Sequence, residues 1–554
     1  MKKMLILLLL CLSSLIPYIS SMLTTANLQT DNLVSEELEI VADSPKMTNE
    51  SIKYLRPAEN LKEGQIQPPG VRPAPYNKQK LSTSLGTHKV LVLLVDFSDQ
   101  VGVKNKTYFE DLIFTDNPGS TAHYYATTSR GQVAIDGEVA GSGWYRASNT
   151  LSWYGEDNVT EGDDQKNGEI YELAEELILL ADADVDFSEY DTDSDNHIDH
   201  LMIVFAGSGQ ESSSVSSDIW SHSWAVPGGV SVDGINVTSY TMQSENSPMG
   251  VFAHEFGHDL GLPDLYDTDY SSDGIGDWGM MAGGSWNGGG AHPAHFCAWS
   301  QIQLGWITPT NLTVGGTYTL HSFNDTGEVY KIAINDPNEY FLLAYRQKEG
   351  YYDHYLPGSG LLIWHIDDLK LEVEYPESPN DDENHKLVDL EEADGGEDLD
   401  VYDADEGSAT DPFNGINAEF SFNTTPNSND YADLPSGIKV SSVKNTTRRQ
   451  SSATIEFTAD LNSWPYSGNS SEGAFQLRDG KTYSFQLDGS NSFWFALNPT
   501  SPRQGLNVSF ILQYSNLSSN DVIVDILSPD NQTVIDSYTP SGDPFIFNYT
   551  FLTG

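Results

Sequence analysis

Eleven residues, HEFGHDLGLPD at positions 254–264, constrain the fold more than any other stretch of the chain. On a helix His254 and His258 stand one turn apart and share a face, so both imidazoles can converge on a single ion. Gly261 can take the positive φ that ends a helix, and Pro263 prevents it from resuming. The chain must therefore turn after His258 and bring position 264 back toward the histidines.

The residue types fit a metal site with a base beside it. Glu255, one step around the helix, sits next to the histidine face, where a general base would take a proton from an attacking water. His-Glu-x-x-His alone arises by chance in roughly one sequence of this composition in fifty, and adding Gly261 and Asp264 at fixed offsets lowers that to roughly one in ten thousand. Asp264 thus occupies the third-ligand position of the zinc-peptidase pattern His-Glu-x-x-His-x-x-Gly-x-x-His, with a carboxylate in place of imidazole. Asp267 and Asp259 are weaker substitutes. A glutamate from a later helix is disfavoured, because none occurs between Glu255 and Glu328. Downstream, GDWGMMAGG holds Met280 and Met281 in a glycine-bounded turn, and Met281 is the expected apolar floor beneath the metal ligands.

The remaining sequence divides into zones. Residues 1–26 carry Lys2, Lys3 and an apolar run too short for a membrane span, which reads as a secretory signal; Pro-rich residues 27–85 read as a propeptide or leader. Within 86–310, Lys89 to Asp96 and HIDHLMIVFAG read as buried strands and Glu169 to Ala181 as a helix, an α/β pattern. Residues 311–460 are β-rich, interrupted by Asp367 to Asp411, where 19 acidic residues face two lysines; this stretch reads as a solvated loop. Residues 465–554 alternate strands and turns at the spacing of a β-sandwich, possessing no clear final strands.

Charge and cysteine usage narrow the function. A net charge of -54 excludes a nucleic-acid binder, which needs clustered Lys and Arg, and disfavours anionic membranes as partners of the mature chain. Cys297 is the one cysteine left once the signal is removed, so no intramolecular disulfide can form. Thirteen Asn-x-Ser/Thr sequons fit an exported surface. Asp191, Asp193, Asp195, His197 (by its carbonyl) and Asp199 match the first nine positions of an EF-hand-type loop, making calcium a candidate ligand. Asn196 stands where such loops carry Gly, and Met202 where they carry Glu. His222, His292, His295 and His365 read as packed structural residues, with substrate contact from His222 as a minor alternative. Neither serine nor cysteine catalysis has a motif.

Residues GSTAHYYATTSRGQVAIDGEVAGSGWY, DFSEYDTDSDNHIDHLMIVFAGSG, IWSHSW, HEFGHDLGLPDLYD, WGMMAGGSW and GLLIWHIDD resemble, in order, the blocks of the immune inhibitor A-like secreted metallopeptidases. The resemblance covers roughly residues 86–460. It implies an α/β (α+β), metzincin-like zinc-peptidase catalytic domain followed by a β-rich domain and a C-terminal β-sandwich. It also implies a zinc endopeptidase made as a zymogen and acting on extracellular protein or peptide substrates. The family's zinc helix maps onto His254, Glu255, His258 and Asp264, and its methionine turn onto Met281; WGMM departs from the family's Asp-Leu pair before the methionine. The rival from another class is a calcium-binding surface or matrix protein with a structural zinc site. Glu255 discriminates against it, since a structural zinc needs no base.

Overall fold

The computed structural model describes residues 84–463, apart from 159–163, 165–166, 169, 335, 374–377, 403, 405, 448–452 and 462, and the backbone of six strands beyond residue 463. The signal 1–26 and all of the leader except residues 84 and 85 lie outside the described residues.

The first apolar run forms β1 (Gly86–Asp96). After it come α1 (Lys106–Phe114), α2 (Thr121–Thr128), β2 (Val133–Val139), the two-residue β3 (Tyr145–Arg146) and α3 (Tyr171–Ala181). Next are β4 (His200–Phe205), β5 (His222–Val232), β6 (Ile235–Ser244) and α4 (Met249–Asp259). The sheet runs β2, β1, β4, β6, β5, with β3 also beside β1. Its internal pairings are parallel, and β5 alone lies antiparallel, at the edge.

The alternation of β1 sorts its side chains between two helical layers. Val90, Val92 and Leu94 face a core with Phe109, Tyr125, Phe252 and Phe256. Leu91, Leu93 and Val95 face another with Leu173, Leu177 and Ile178 of α3. With both faces covered, β1 reads as a continuous apolar run rather than an alternating one. Truncating a core residue such as Leu93 to alanine would cost about 2–5 kcal/mol.

Beyond α5 (Ala298–Gln303) the chain builds two more sheets. One contains β7 (Thr310–Asn311), β9 (Val329–Ala333), β10 (Glu339–Arg346), β11 (Gly360–Asp367) and β12 (Val388–Leu390); the other contains β8 (Gly316–His321), β13 (Gly415–Phe420), β14 (Lys439–Thr447) and β15 (Thr454–Asp460). Phe341, Leu343 and Ile363 pack with Leu320, Ile455 and Phe457 between these sheets. The opposite face, with Leu342, Ala344 and Trp364, joins the core that holds α4. One hydrophobic core therefore crosses residue 310.

The sandwich expected for 465–554 lies outside the described residues, save three two-stranded pairings: 475–477 with 495–497, 506–512 with 545–551, and 524–527 with 534–538. Among the described residues no helix is long and apolar enough to cross a membrane.

Candidate metal centre

Every residue of α4 is buried, so each polar group on it needs a partner. The helix lies against the segment 279–290 along one face. A Cβ on Gly250 would fall 1.9 Å from the Ser285 carbonyl oxygen, and one on Gly257 would fall 2.7 Å from the Met281 sulfur. Glycine at both positions lets the helix approach this closely.

The end of α4 is a reversal built on Gly261, whose φ is +103°. The Gly261 amide donates to the His258 carbonyl at 2.8 Å, and the Leu262 amide reaches back to Gly257 at 3.1 Å. The turn also orients a side chain, because Nδ1 of His258 donates to the Leu262 carbonyl at 2.8 Å. Nδ1 of His254 donates likewise to the Met280 carbonyl at 2.9 Å. Each neutral imidazole therefore carries its proton on Nδ1 and turns an Nε2 lone pair inward.

Those two Nε2 atoms are 3.0 Å apart, and Oδ1 of Asp264 lies 3.1 Å from one and 3.0 Å from the other. Three acceptors at these separations repel unless a cation or a proton joins them. A tetrahedral zinc with bonds near 2.0–2.1 Å has ligand atoms about 3.3 Å apart, close to what these side chains already adopt. The remaining oxygen of Asp264 has no hydrogen-bond partner among the described residues, nor has either oxygen of Glu255. The donor set of two imidazoles and a carboxylate, all at most 3% exposed, suits zinc.

The electrostatics agree with a site made for positive charge. Burial disfavours a charged His258, but the Asp264 carboxylate outweighs it and raises the imidazole to about 9. Burial alone would raise Asp264, yet the two histidines hold it down at about 2. His254 is lowered, chiefly by burial. Burial pushes the Glu255 carboxyl well above its usual range, the direction that turns a carboxylate into a usable base near neutrality.

The methionine turn holds this arrangement through its backbone as well as its side chains. Met280 supplies the carbonyl for His254, while the Met281 carbonyl accepts the Leu265 amide at 2.8 Å and its thioether lies under Gly257. Met281 thus packs against α4 at Gly257, and the Met280 carbonyl fixes the ring of His254. The weaker candidates for third ligand are engaged elsewhere. Asp259 accepts from Nδ1 of His200, and Asp267 groups with Asp269 and Asp381.

Residues 77–307 match the family model described as immune inhibitor A peptidase M6, catalytic domain. These residues are similar to the M6 peptidases. The pre-pro-metalloprotease PrtV of Vibrio cholerae serotype O1 is 32% identical over 291 residues, covering 41% of this chain and 31% of that protein. Immune inhibitor A of Bacillus thuringiensis subsp. alesti is 32% identical over 278 residues, covering 40% of each. The chain therefore matches well under half the length of these curated relatives.

The matched stretch also carries the predicted calcium loop. Carboxylates of Asp191, Asp193 and Asp195 lie together. Asp191 accepts from the amides of Asp195 and Asn196, and Asn196 takes φ +70°, the left-handed turn that glycine usually supplies. Asp199 instead faces Thr192, and the His197 amide bonds Asp195. Of the histidines read as structural, His222 bonds the Trp220 carbonyl and the Tyr240 hydroxyl, His292 bonds the Tyr351 carbonyl and His365 lies between Glu339 and Glu391, whereas Nδ1 of the buried His295 has no hydrogen-bond partner among the described residues.

The acidic stretch differs from its expected solvated state. It docks on the segment that follows Asp264. Asn380 donates to the Leu265 and Val388 carbonyls, and Asp381 accepts from the Thr268 amide. Lys386, fully buried, bonds the Gly274 carbonyl, Asp389 and Asp400. Trp278, beside the methionine turn, donates to Asp411 at 3.1 Å. Like charges are tolerated here because a buried ammonium and backbone amides sit among them.

Proposed function

We propose that the chain is an exported zinc endopeptidase that hydrolyses peptide bonds of extracellular proteins. The observation that carries this is the triangle of His254 Nε2, His258 Nε2 and Asp264 Oδ1 at 3.0–3.1 Å, with Glu255 unpartnered beside it. His254, His258 and Asp264 would hold the ion. Bound zinc supplies Lewis acidity, polarising the scissile carbonyl and making water easier to deprotonate. Glu255 takes one proton from the attacking water as the C–O bond forms and passes it to the leaving nitrogen as the C–N bond then breaks. Nδ1 bonds to the Met280 and Leu262 carbonyls keep both imidazoles aimed during turnover. The Lys2, Lys3 and apolar leader support export. The Asp191, Asp193 and Asp195 group supports a calcium ion that stiffens the strand-connecting loop.

The test is cleavage of denatured casein by the purified protein. Activity should vanish with a chelator, return with zinc, and be absent in Glu255→Ala that retains zinc. Zinc retained at full stoichiometry by His258→Ala would reject the ligand set.

A further inference from the structure

Tyr266 lies two residues beyond Asp264, on the segment that Gly261 turns back. Its ring stacks on the His254 imidazole, with centroids 6.3 Å apart and planes inclined by 29°. It is only 6% exposed, yet its hydroxyl has no hydrogen-bond partner among the described residues. A buried tyrosine hydroxyl usually finds one.

The unpartnered atoms around the metal centre are not alike. The two oxygens of Glu255 and Oδ2 of Asp264 are acceptors, which a cation, a water or a proton satisfies. The phenol is a donor, and no cation satisfies it. A phenol ordinarily keeps its proton at neutral pH, so the hydroxyl is a donor. It lacks an acceptor, and amide hydrolysis creates one, because the scissile carbonyl oxygen gains negative charge as water adds to the carbon. Trp220 Nε1 and Gln243 Nε2 are also buried donors without partners among the described residues, but Tyr266 is the one stacked on a residue of the metal triangle.

We infer that Tyr266 is a catalytic residue that donates a hydrogen bond to the scissile carbonyl oxygen as it becomes an oxyanion. The inference rests on the peptidase reading above. The phenol transfers no proton, and it returns to its unpartnered state when the tetrahedral carbon collapses to the carboxylate and amine. Such a donor acts on the transition state more than on the bound substrate.

The experiment compares the zinc-loaded full chain with Tyr266→Phe, which keeps the ring on His254 and removes the hydroxyl. On a fluorogenic casein, kcat should fall about 100-fold while KM changes little. By calorimetry, affinity for a phosphinic peptide, whose tetrahedral oxygen mimics the oxyanion, should fall by a similar factor, with zinc stoichiometry and melting temperature unchanged. A variant with kcat and phosphinate affinity near wild type overturns the inference. So does one that loses zinc or melts several degrees lower, because Tyr266 would then be a prop for His254. A wild-type chain that holds zinc but cleaves no casein overturns the peptidase reading, and this inference with it.

Discussion

Gly250→Ala sets two effects of opposite sign against each other. Alanine is the better helix former, by about 1 kcal/mol in a helix interior, so propensity alone predicts a stabilised α4. The added Cβ, however, would lie 1.9 Å from the Ser285 carbonyl oxygen and 3.1 Å from that of Gly290. Approaches under 3.0 Å are essentially never seen for real Cβ atoms, so α4 and the 283–290 segment must separate by about 1 Å. Both neighbours are backbone and cannot rotate away. Overpacking of this kind costs about 1–3 kcal/mol or more, and with a rigid neighbour the upper part of that range applies. The net expectation is a loss of about 2 kcal/mol, or about 2–3 °C in melting temperature for a unit of this size. Ser285 and Met280 lie on one continuous segment, so the shift should also loosen the Met280 carbonyl from His254 and weaken zinc retention. The assay is thermal unfolding of the zinc-loaded protein in a Glu255→Ala background, which prevents self-cleavage. A melting temperature equal to or above the parent's would refute the close-approach argument. Gly257→Ala is the internal comparison: its Cβ would meet the Met281 sulfur at 2.7 Å, a side chain able to move, so it should cost less than half as much.

Other outcomes follow from the same structure. Gly261→Ala places an L side chain at φ +103°, which should cost about 1–3 kcal/mol and displace Asp264; zinc affinity should fall by at least tenfold, and unchanged zinc affinity would show that the turn does not position the carboxylate. Calcium at about 100 times its Kd should stabilise the chain by about 2.7 kcal/mol, and Asp191→Asn with Asp193→Asn should abolish the shift; a wild type insensitive to calcium removes that assignment. For His365, burial opposes the charge but Glu339 and Glu391 outweigh it and raise the imidazole to about 9. Its contribution of about 3 kcal/mol is therefore complete below the unfolded value near 6.5 and lost as pH rises through about 9. Glu391, raised to about 7 chiefly by burial, has exacted its own cost by then. Melting temperature should drop between pH 7 and 9.5 in the wild type and stay flatter in His365→Gln; equal slopes would dismiss the buried imidazolium.

What was legible in the sequence depended on whether the chemistry needs particular side chains close together in the chain. His254, His258, Gly261 and Asp264 span eleven positions, and each role admits only a few residue types, so the turn and the triangle could be read before any coordinates. The strands β1 and β4 were legible for a similar reason, since burial on both faces leaves an unbroken apolar run. The Met280 carbonyl was not, because a backbone oxygen is supplied by every residue and marks none. Nor was the docking of Asn380, Lys386 and Asp411 on the segment after Asp264, which joins positions more than 100 residues apart. Counting charge over 367–411 pointed to solvent, and the count was correct while the inference was incomplete. A single buried lysine with four oxygen partners can hold part of an acidic segment against the core, and it adds only one to the sum. Average charge therefore says how a stretch repels itself, whereas its placement is decided by the few residues that differ from the average.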